Sequence, residues 1–175
     1  MIISSRDLIS CLFSFSGFCF LSILCSVPRH RHPKNQWISN GRLVDFYLWA
    51  RRRGVKWLHK PIGLLLNTDI DCPLPERLFL PHPYGIIVGT TSKLANDVTL
   101  MQQVTLGGKD PWCTDTDLSD IYPTLEEGVY VGAGAKILGP VTIGKWAIVG
   151  ANAVITKNVP AEATVVGFNK LIEAK

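Results

Sequence analysis

Residues 125–160 read LEEGVY VGAGAK ILGPVT IGKWAI VGANAV ITKNVP when they are written in groups of six. Each group begins with an aliphatic residue, and the fifth residue of each group is Val or Ala. An amphipathic helix needs apolar residues spaced near 3.6 and a half-buried strand needs alternation, so neither explains this period. The six glycines of the stretch would also weaken a helix by about 1 kcal/mol each. A period of six indicates a parallel β-helix, whose stacked coils bury their inward residues against one another.

The period of six also appears earlier in the chain. Residues 88–111 read VGTTSK LANDVT LMQQVT LGGKDP, with an aliphatic residue at the start of each group. Residues 109–124 then interrupt the period and are rich in Asp and Pro, which predicts a loop inserted into an otherwise regular coil. We therefore expect a β-helix domain over residues 65–175 with a loop insertion at 109–124.

The composition is that of a folded protein. The chain has 175 residues, of which 47% are hydrophobic and 18% charged, a balance typical of one globular domain and not of a disordered or collagen-like chain. The net charge of +4 is too small to indicate a nucleic-acid partner. Five cysteines without a CxxC pair predict neither a disulfide framework nor a structural zinc site, so we expect no metal and a reducing, cytoplasmic compartment.

The N-terminal region, residues 1–64, is first apolar and then basic. Residues 8–27 carry no charge over the minimum length of a membrane span, whereas Arg6 and Asp7 before them cancel and argue against a cleaved signal. Residues 28–60 hold nine Lys and Arg against Asp45 alone. The apolar run therefore either packs on the protein or contacts or spans the membrane, with the basic stretch at the inner face. Between residues 41 and 59 we expect one or two short helices, broken near Gly54 and ended by Pro61.

Three blocks of sequence carry a family resemblance. They are LPHPYGIIVG at 80–89, NDVTLMQQVTLGG at 96–108, and GVYVGAGAKILGPVTIGKWAIVGANAVITKNVPAEATVVG at 128–167. In this order they resemble the hexapeptide-repeat acyltransferases with a left-handed parallel β-helix, in the serine acetyltransferase-like and polysaccharide O-acetyltransferase branches. The resemblance spans residues 69–167. It implies acetyl-CoA as the donor and a homotrimer or a dimer of trimers, with active sites between neighbouring subunits.

Transfer of an acetyl group to a hydroxyl needs a base that takes the hydroxyl proton, and histidine suits this task near neutral pH. His82 lies between Pro81 and Pro83 just before the first hexads, and the two prolines restrict how its ring is presented. We therefore predict that His82 is the general base. The resemblance implies an upstream Asp that pairs with this ring; Asp69 matches it best, and the shortened spacing leaves Asp71 as the alternative.

Small residues at coil corners leave backbone groups open to a pantetheine arm, and lysines offer charge to nucleotide phosphates. On this basis, and on the resemblance, we predict that acetyl-CoA is bound by Gly107, Gly108, Ala133, Gly134, Ala151, Lys136 and Lys157.

Two departures from the serine acetyltransferases bear on the acceptor. Pro81 replaces an acidic residue before the catalytic histidine, and Tyr122 stands where the family has the histidine of an Arg-His pair. Because an amino acid needs charged partners, we predict instead a neutral sugar acceptor, faced by the aromatic residues Tyr84, Trp112 and Tyr122. The expected function is O-acetylation of a sugar in a bacterial surface polysaccharide, with the basic N-terminal region offering peripheral membrane contact. The alternatives are a serine O-acetyltransferase of cysteine biosynthesis and a non-catalytic scaffold.

Overall fold

The structure is a computed structural model of the chain, and it describes residue 30 and residues 32–35, 37–108 and 121–172. The apolar run at 8–27 and Trp112 lie outside these residues. Within the described part of the chain, no helix combines the length and apolar character needed to cross a membrane.

Two helices precede the β-structure. Helix α1 covers Arg42–Arg52 and helix α2 covers Lys56–Leu65, with Gly54 between them at a φ of +67°. The prediction that Pro61 ends the second helix is wrong, because Pro61 lies inside α2. Its missing N–H leaves the carbonyl of Trp57 without its helical partner, and Trp57 and Pro61 are both exposed, so water can take that place.

Short strands form the remainder of the described chain, and all but the last pair in parallel. Their bounds are β1 Asp69–Ile70, β2 Leu78–Phe79, β3 Ile87–Val88, β4 Lys93–Leu94, β5 Val98–Leu100, β6 Thr105–Gly107, β7 Thr124–Leu125, β8 Tyr130–Val131, β9 Lys136–Leu138, β10 Thr142–Ile143, β11 Ile148–Val149, β12 Val154–Ile155, β13 Thr164–Val166 and β14 Lys170–Ile172.

The strands form three walls. Wall 1 contains β1, β3, β6, β9 and β12; wall 2 contains β4, β7 and β10; wall 3 contains β2, β5, β8, β11, β13 and β14. Consecutive strands along the chain alternate among the walls, which is the architecture of a β-helix. Strand β14 runs antiparallel to β13 and ends the stack.

The register shows that one coil contains three hexads. Asp69 pairs with Ile87, and Lys136 pairs with Val154, each 18 residues apart. Thr105 and Lys136 are also neighbours on wall 1 although 31 residues separate them. This coil therefore contains 13 additional residues, at the position where the sequence predicts an inserted loop. Thr124, the last residue of that predicted loop, already belongs to β7.

The hexads predict the core correctly. The first residue of each of the six groups from 125 to 160 is at most 1% exposed, and the fifth residue is at most 6% exposed. The two sets are Leu125, Val131, Ile137, Ile143, Val149 and Ile155, and Val129, Ala135, Val141, Ala147, Ala153 and Val159. Stacked coils thus form one continuous apolar column, in which each coil depends on its neighbours for burial.

Helix α1 closes the N-terminal end of this column. Val44, Tyr47 and Leu48 belong to the same buried cluster as the first coils. Arg51 donates from Nε to the carbonyl oxygen of Ile70 at 2.7 Å, and Arg52 donates to that of Pro75 at 2.9 Å. Two of the three consecutive arginines therefore attach the helix to the β-helix, whereas the sequence suggested a basic face toward a membrane.

Candidate active site

The loop that carries His82 connects β2 of wall 3 to β3 of wall 1. Its backbone is held from both sides: the Gly85 N–H donates to the carbonyl of Leu66 at 3.2 Å, and the Gln103 N–H donates to the carbonyl of Tyr84 at 2.8 Å. Thr68 Oγ1 donates to the buried carbonyl of Pro83 at 2.5 Å. The loop is thus fixed against the end of α2 and against the next coil, while the side chain of His82 is exposed.

Asp69 and Asp71 lie on and just after β1, next to the His82 loop. Asp69 pairs in register with Ile87, and both residues are exposed on the outer face of wall 1. Asp71 lies 3.9 Å from the guanidinium of Arg51, which is too long for a hydrogen bond. Among the described residues of a single chain, no hydrogen bond or ion pair joins His82 to either carboxylate. The pairing of His82 with Asp69 or Asp71 stays a prediction.

The residues predicted to bind acetyl-CoA lie along both edges of wall 1. Ala133, Gly134 and Ala151 occupy the corner where wall 3 turns into wall 1, in the same column as Tyr84 and Gly85. Gly107 ends strand β6 of wall 1. Gly108 follows it, and Lys157 is at the same corner two coils later. His82 therefore shares one edge of wall 1 with Ala133, Gly134 and Ala151.

Local contacts explain two of these positions. Gly134 has a φ of +72°, which favours glycine, and a Cβ there would lie 2.1 Å from Oδ1 of Asn152 in the next coil, so a larger residue would force that side chain to move. Lys136 Nζ donates to the carbonyls of Gln103 at 2.8 Å and Gly134 at 3.0 Å. These two bonds use two of the three N–H groups of the ammonium, so Lys136 stabilises the corner and can meet a phosphate with the third.

Of the three predicted acceptor contacts, Tyr84 is 60% exposed beside His82 and Trp112 lies outside the described residues. Tyr122 packs across the wall itself: a Cβ on Gly89 would lie 1.9 Å from Cε1 of its ring, and one on Gly108 would lie 3.5 Å from Cζ. Its ring therefore covers two glycines at the edge of wall 1. A role for Tyr84, Trp112 or Tyr122 in acceptor binding stays a prediction.

A groove next to β1 brings together charged residues that are not predicted to share a site from the sequence. It has a volume of about 690 Å³ and is lined by Tyr47, Arg51, Gly54, Lys56, His59, Lys60, Gly63, Leu64, Asn67, Thr68, Asp69, Ile70, Asp71 and Ile87. Burial lowers the pKa of His59, and the nearby charges of Arg51, Lys60 and Lys56 lower it further. The sequence could have predicted the helical side of this groove, because Lys56, His59 and Lys60 have the i, i+3, i+4 spacing of residues that share a helix face.

No group of three or more His, Cys, Asp or Glu residues in the described ranges is placed to hold a metal ion. The thiol of Cys72 is buried, and burial raises its pKa to about 11, so it is protonated and unreactive near neutral pH.

Comparison with known proteins agrees with this geometry. Residues 122–157 match the family model described as bacterial transferase hexapeptide (six repeats). The serine acetyltransferase of Haemophilus influenzae is 39% identical over 128 residues, which are 71% of this chain and 46% of that protein. The repeat domain is that of a hexapeptide-repeat acyltransferase.

Solved structures support this assignment of the hexapeptide-repeat domain. A serine acetyltransferase in complex with CoA is 35% identical and superposes with a TM-score of 0.58, over 75% of this chain and 56% of that one. The Neisseria gonorrhoeae serine acetyltransferase in complex with serine is 31% identical with a TM-score of 0.57, over 75% and 52%. The chain spans about half the length of the curated relatives it matches. The prediction of a left-handed parallel β-helix is confirmed.

The prediction of a polysaccharide acceptor for the hexapeptide-repeat domain is wrong. The similar proteins, at 35–43% identity, are named serine acetyltransferases. The prediction assumed that charged partners for an amino acid must come from the positions of Pro81 and Tyr122. The structure shows other charges close to the His82 loop, on α2 and β1, so the loss of those two positions does not exclude a charged acceptor. Neither a sugar acceptor nor membrane contact by the N-terminal region is supported.

Proposed function

We propose that the chain is an acetyl-CoA-dependent O-acetyltransferase that acetylates the hydroxyl group of serine. The observation that carries this proposal is the 39% identity to a serine acetyltransferase over 71% of the chain. The fixed His82 loop and the open corners of wall 1 supply the two parts that the reaction needs.

In this proposal His82 acts as the general base. It takes the proton of the serine hydroxyl as the oxygen attacks the thioester carbonyl carbon, and it returns a proton to the sulfur when the C–S bond breaks. An exposed imidazole on a fixed backbone suits this role, because the ring must contact both substrates without a change in the loop. Asp69 orients the ring and stabilises the imidazolium that forms, and Asp71 is the alternative for this role.

Acetyl-CoA is proposed to lie along wall 1, against the corners at Ala133, Gly134 and Ala151 and the edge at Gly107 and Gly108. Lys157 is exposed at the second edge and is free to meet a phosphate. Lys136 contributes its charge from the first edge. We further propose a homotrimer, in which the site is completed by a neighbouring subunit.

Thiol release from acetyl-CoA in the presence of serine tests the proposal. The unmodified protein should release CoA with serine at a rate far above its hydrolysis of acetyl-CoA, and His82→Gln should not. Release with a polysaccharide repeat unit but not with serine would contradict the acceptor. Absence of CoA binding in calorimetry would contradict the enzyme itself and favour a scaffold.

A further inference from the structure

The groove next to β1 has opposite charges on its two sides. Helix α2 contributes Lys56 and Lys60, and the β1 side contributes Asp69 and Asp71. We propose that this groove binds the charged groups of the amino-acid acceptor, with the two lysines facing the α-carboxylate and Asp71 facing the α-ammonium group. The inference rests on the proposed acetylation of serine, and it names the residues that replace the missing charges at Pro81 and Tyr122.

The helical side of the groove supplies positive charge that no carboxylate of the described residues pairs with. Lys56 and Lys60 are exposed, and neither forms an ion pair with a residue in the described ranges. The lowered pKa of His59 keeps its imidazole neutral near pH 7, so the charge on this side belongs to the lysines. His59 is half-buried against the ring of Tyr47, with ring centroids 6.4 Å apart, and as a neutral ring it offers a hydrogen bond and no added charge.

The β1 side supplies an accessible carboxylate. The side chain of Asp71 is 66% exposed. Its nearest cation, Arg51, already donates to the carbonyls of Ile70 and Cys72, so its hydrogen bonds are directed at the backbone. Burial raises the pKa of Tyr47, opposed by Arg51, and the carboxylates of Asp69 and Asp71 raise it further. Their negative charge is thus felt at the base of the groove.

The groove lies beside the catalytic loop. Asn67 and Thr68 line it, and the hydroxyl of Thr68 holds the carbonyl of Pro83, the residue after His82. Serine is small, so the site that holds its charged groups must adjoin the base that takes its hydroxyl proton. Residues 67–69 line the groove, and Thr68 also supports the His82 loop, so the groove and the loop share this segment.

The test separates the two charges of the acceptor. Acetylation is measured with serine, with ethanolamine, which lacks the carboxylate, and with 3-hydroxypropanoate, which lacks the ammonium group. The variants are Lys60→Gln and Asp71→Asn. Lys93→Gln is the matched control, because Lys93 is an exposed lysine on wall 2.

In Lys60→Gln we expect kcat/KM for serine to fall at least about tenfold, mainly through KM, with ethanolamine unaffected, since a lost charge-assisted contact has this scale. In Asp71→Asn, kcat/KM should fall for serine and for ethanolamine but not for 3-hydroxypropanoate. If Asp71 instead oriented His82, kcat would fall for all three acceptors. The Lys93→Gln control should match the unmodified protein.

Different results would contradict the proposed role of the groove and the proposed function. If serine is acetylated and the ratios of kcat/KM among the three acceptors are unchanged in both variants, the proposed role of the groove is contradicted and the proposed function is not. If the unmodified protein acetylates no serine, the function fails, and calorimetric titration with serine decides the groove. Binding that is lost in Lys60→Gln would support it, whereas no binding to the unmodified protein would overturn it.

Discussion

The hydroxyl of Thr68 donates a hydrogen bond of 2.5 Å to the carbonyl oxygen of Pro83, across 15 residues of sequence. Thr68 is 6% exposed and Pro83 is buried, so no solvent can replace this bond. The backbone on the C-terminal side of His82 is therefore held by the segment that joins α2 to β1. The position of the proposed base depends on how the helices dock on the first coil.

Replacement of this hydroxyl should affect both stability and turnover. Thr68→Val leaves the Pro83 carbonyl buried without a partner, which costs about 1–3 kcal/mol, and a less fixed His82 should lower kcat at least about tenfold. Urea unfolding and steady-state kinetics measure the two effects. Thr68→Ser keeps the hydroxyl and should stay close to the unmodified protein; unchanged stability and kcat in Thr68→Val would show that the hydrogen bond does not fix the loop.

Loss of the imidazole itself should affect turnover alone. His82 is exposed, so His82→Ala removes little packing and the melting temperature should change by no more than about 1 °C. Turnover should fall roughly a hundredfold or more, the usual scale for a lost general base, while CoA binding by calorimetry is unchanged. Near-normal turnover in this variant would exclude His82 as the base.

The sequence predicts the core better than the site because the two depend on different information. Every inward position of the six hexads is a local choice of an aliphatic or small residue, and each of the twelve is buried. Ser92 is an exception to the pattern, since it occupies a fifth position and its buried hydroxyl has no hydrogen-bond partner among the described residues. The two prolines around His82 indicated a fixed loop, but the bond from Thr68 depends on where α2 ends and is not encoded in the spacing.

The acceptor was predicted wrongly for a related reason. A missing charge at one position is visible in a sequence, whereas its replacement from another element is visible only after folding. Lys60 and Asp71 line the same groove because α2 packs beside the segment that leads into β1, with Gly63 at the contact: a Cβ there would lie 3.0 Å from the carbonyl oxygen of Thr68.

Packing of Tyr122 on Gly89 gives a third prediction. Gly89→Ala places a Cβ 1.9 Å from the ring, so the ring must move, at a cost of about 1–3 kcal/mol. In a Tyr122→Ala background the same change should cost much less, and the double-mutant cycle measures the difference. Gly107→Ala is the control, because its Cβ would meet the end of the Leu138 side chain at 3.1 Å and Cγ2 of Thr105 at an ordinary contact distance of 3.9 Å. Equal costs in the two backgrounds would contradict the contact.

The proposed trimer gives a fourth prediction. Light scattering on the purified full-length chain should give about 58 kDa, three times the chain mass of 19.3 kDa. A site shared between subunits should also lose activity on dilution below the dissociation constant of the trimer. A monomer that retains full specific activity would show that one β-helix carries the whole site.

The last prediction concerns pH and the residue His32. Its ring is 7% exposed, contacts Phe79 and Trp146 edge-on, and accepts a hydrogen bond at Nδ1 from the N–H of Asn35 at 3.1 Å. Burial lowers its pKa below 6.5; nearby Asp97 opposes this shift, and Lys34 adds to it. Well above pH 6.5 the imidazole of His32 is neutral in both the folded and the unfolded chain. Its burial then takes nothing from the free energy of unfolding.

As pH falls below 6.5, the unfolded chain takes up the proton first, and the free energy of unfolding should decrease until the folded pKa is passed. Urea unfolding between pH 7.5 and 5.5 at one protein concentration measures this slope. His32→Gln retains an acceptor for the Asn35 N–H and does not titrate, so the slope should be smaller. His59→Gln serves as a parallel variant because the pKa of His59 is lowered as well. A slope that His32→Gln leaves unchanged would show that the buried imidazole is not the group that titrates.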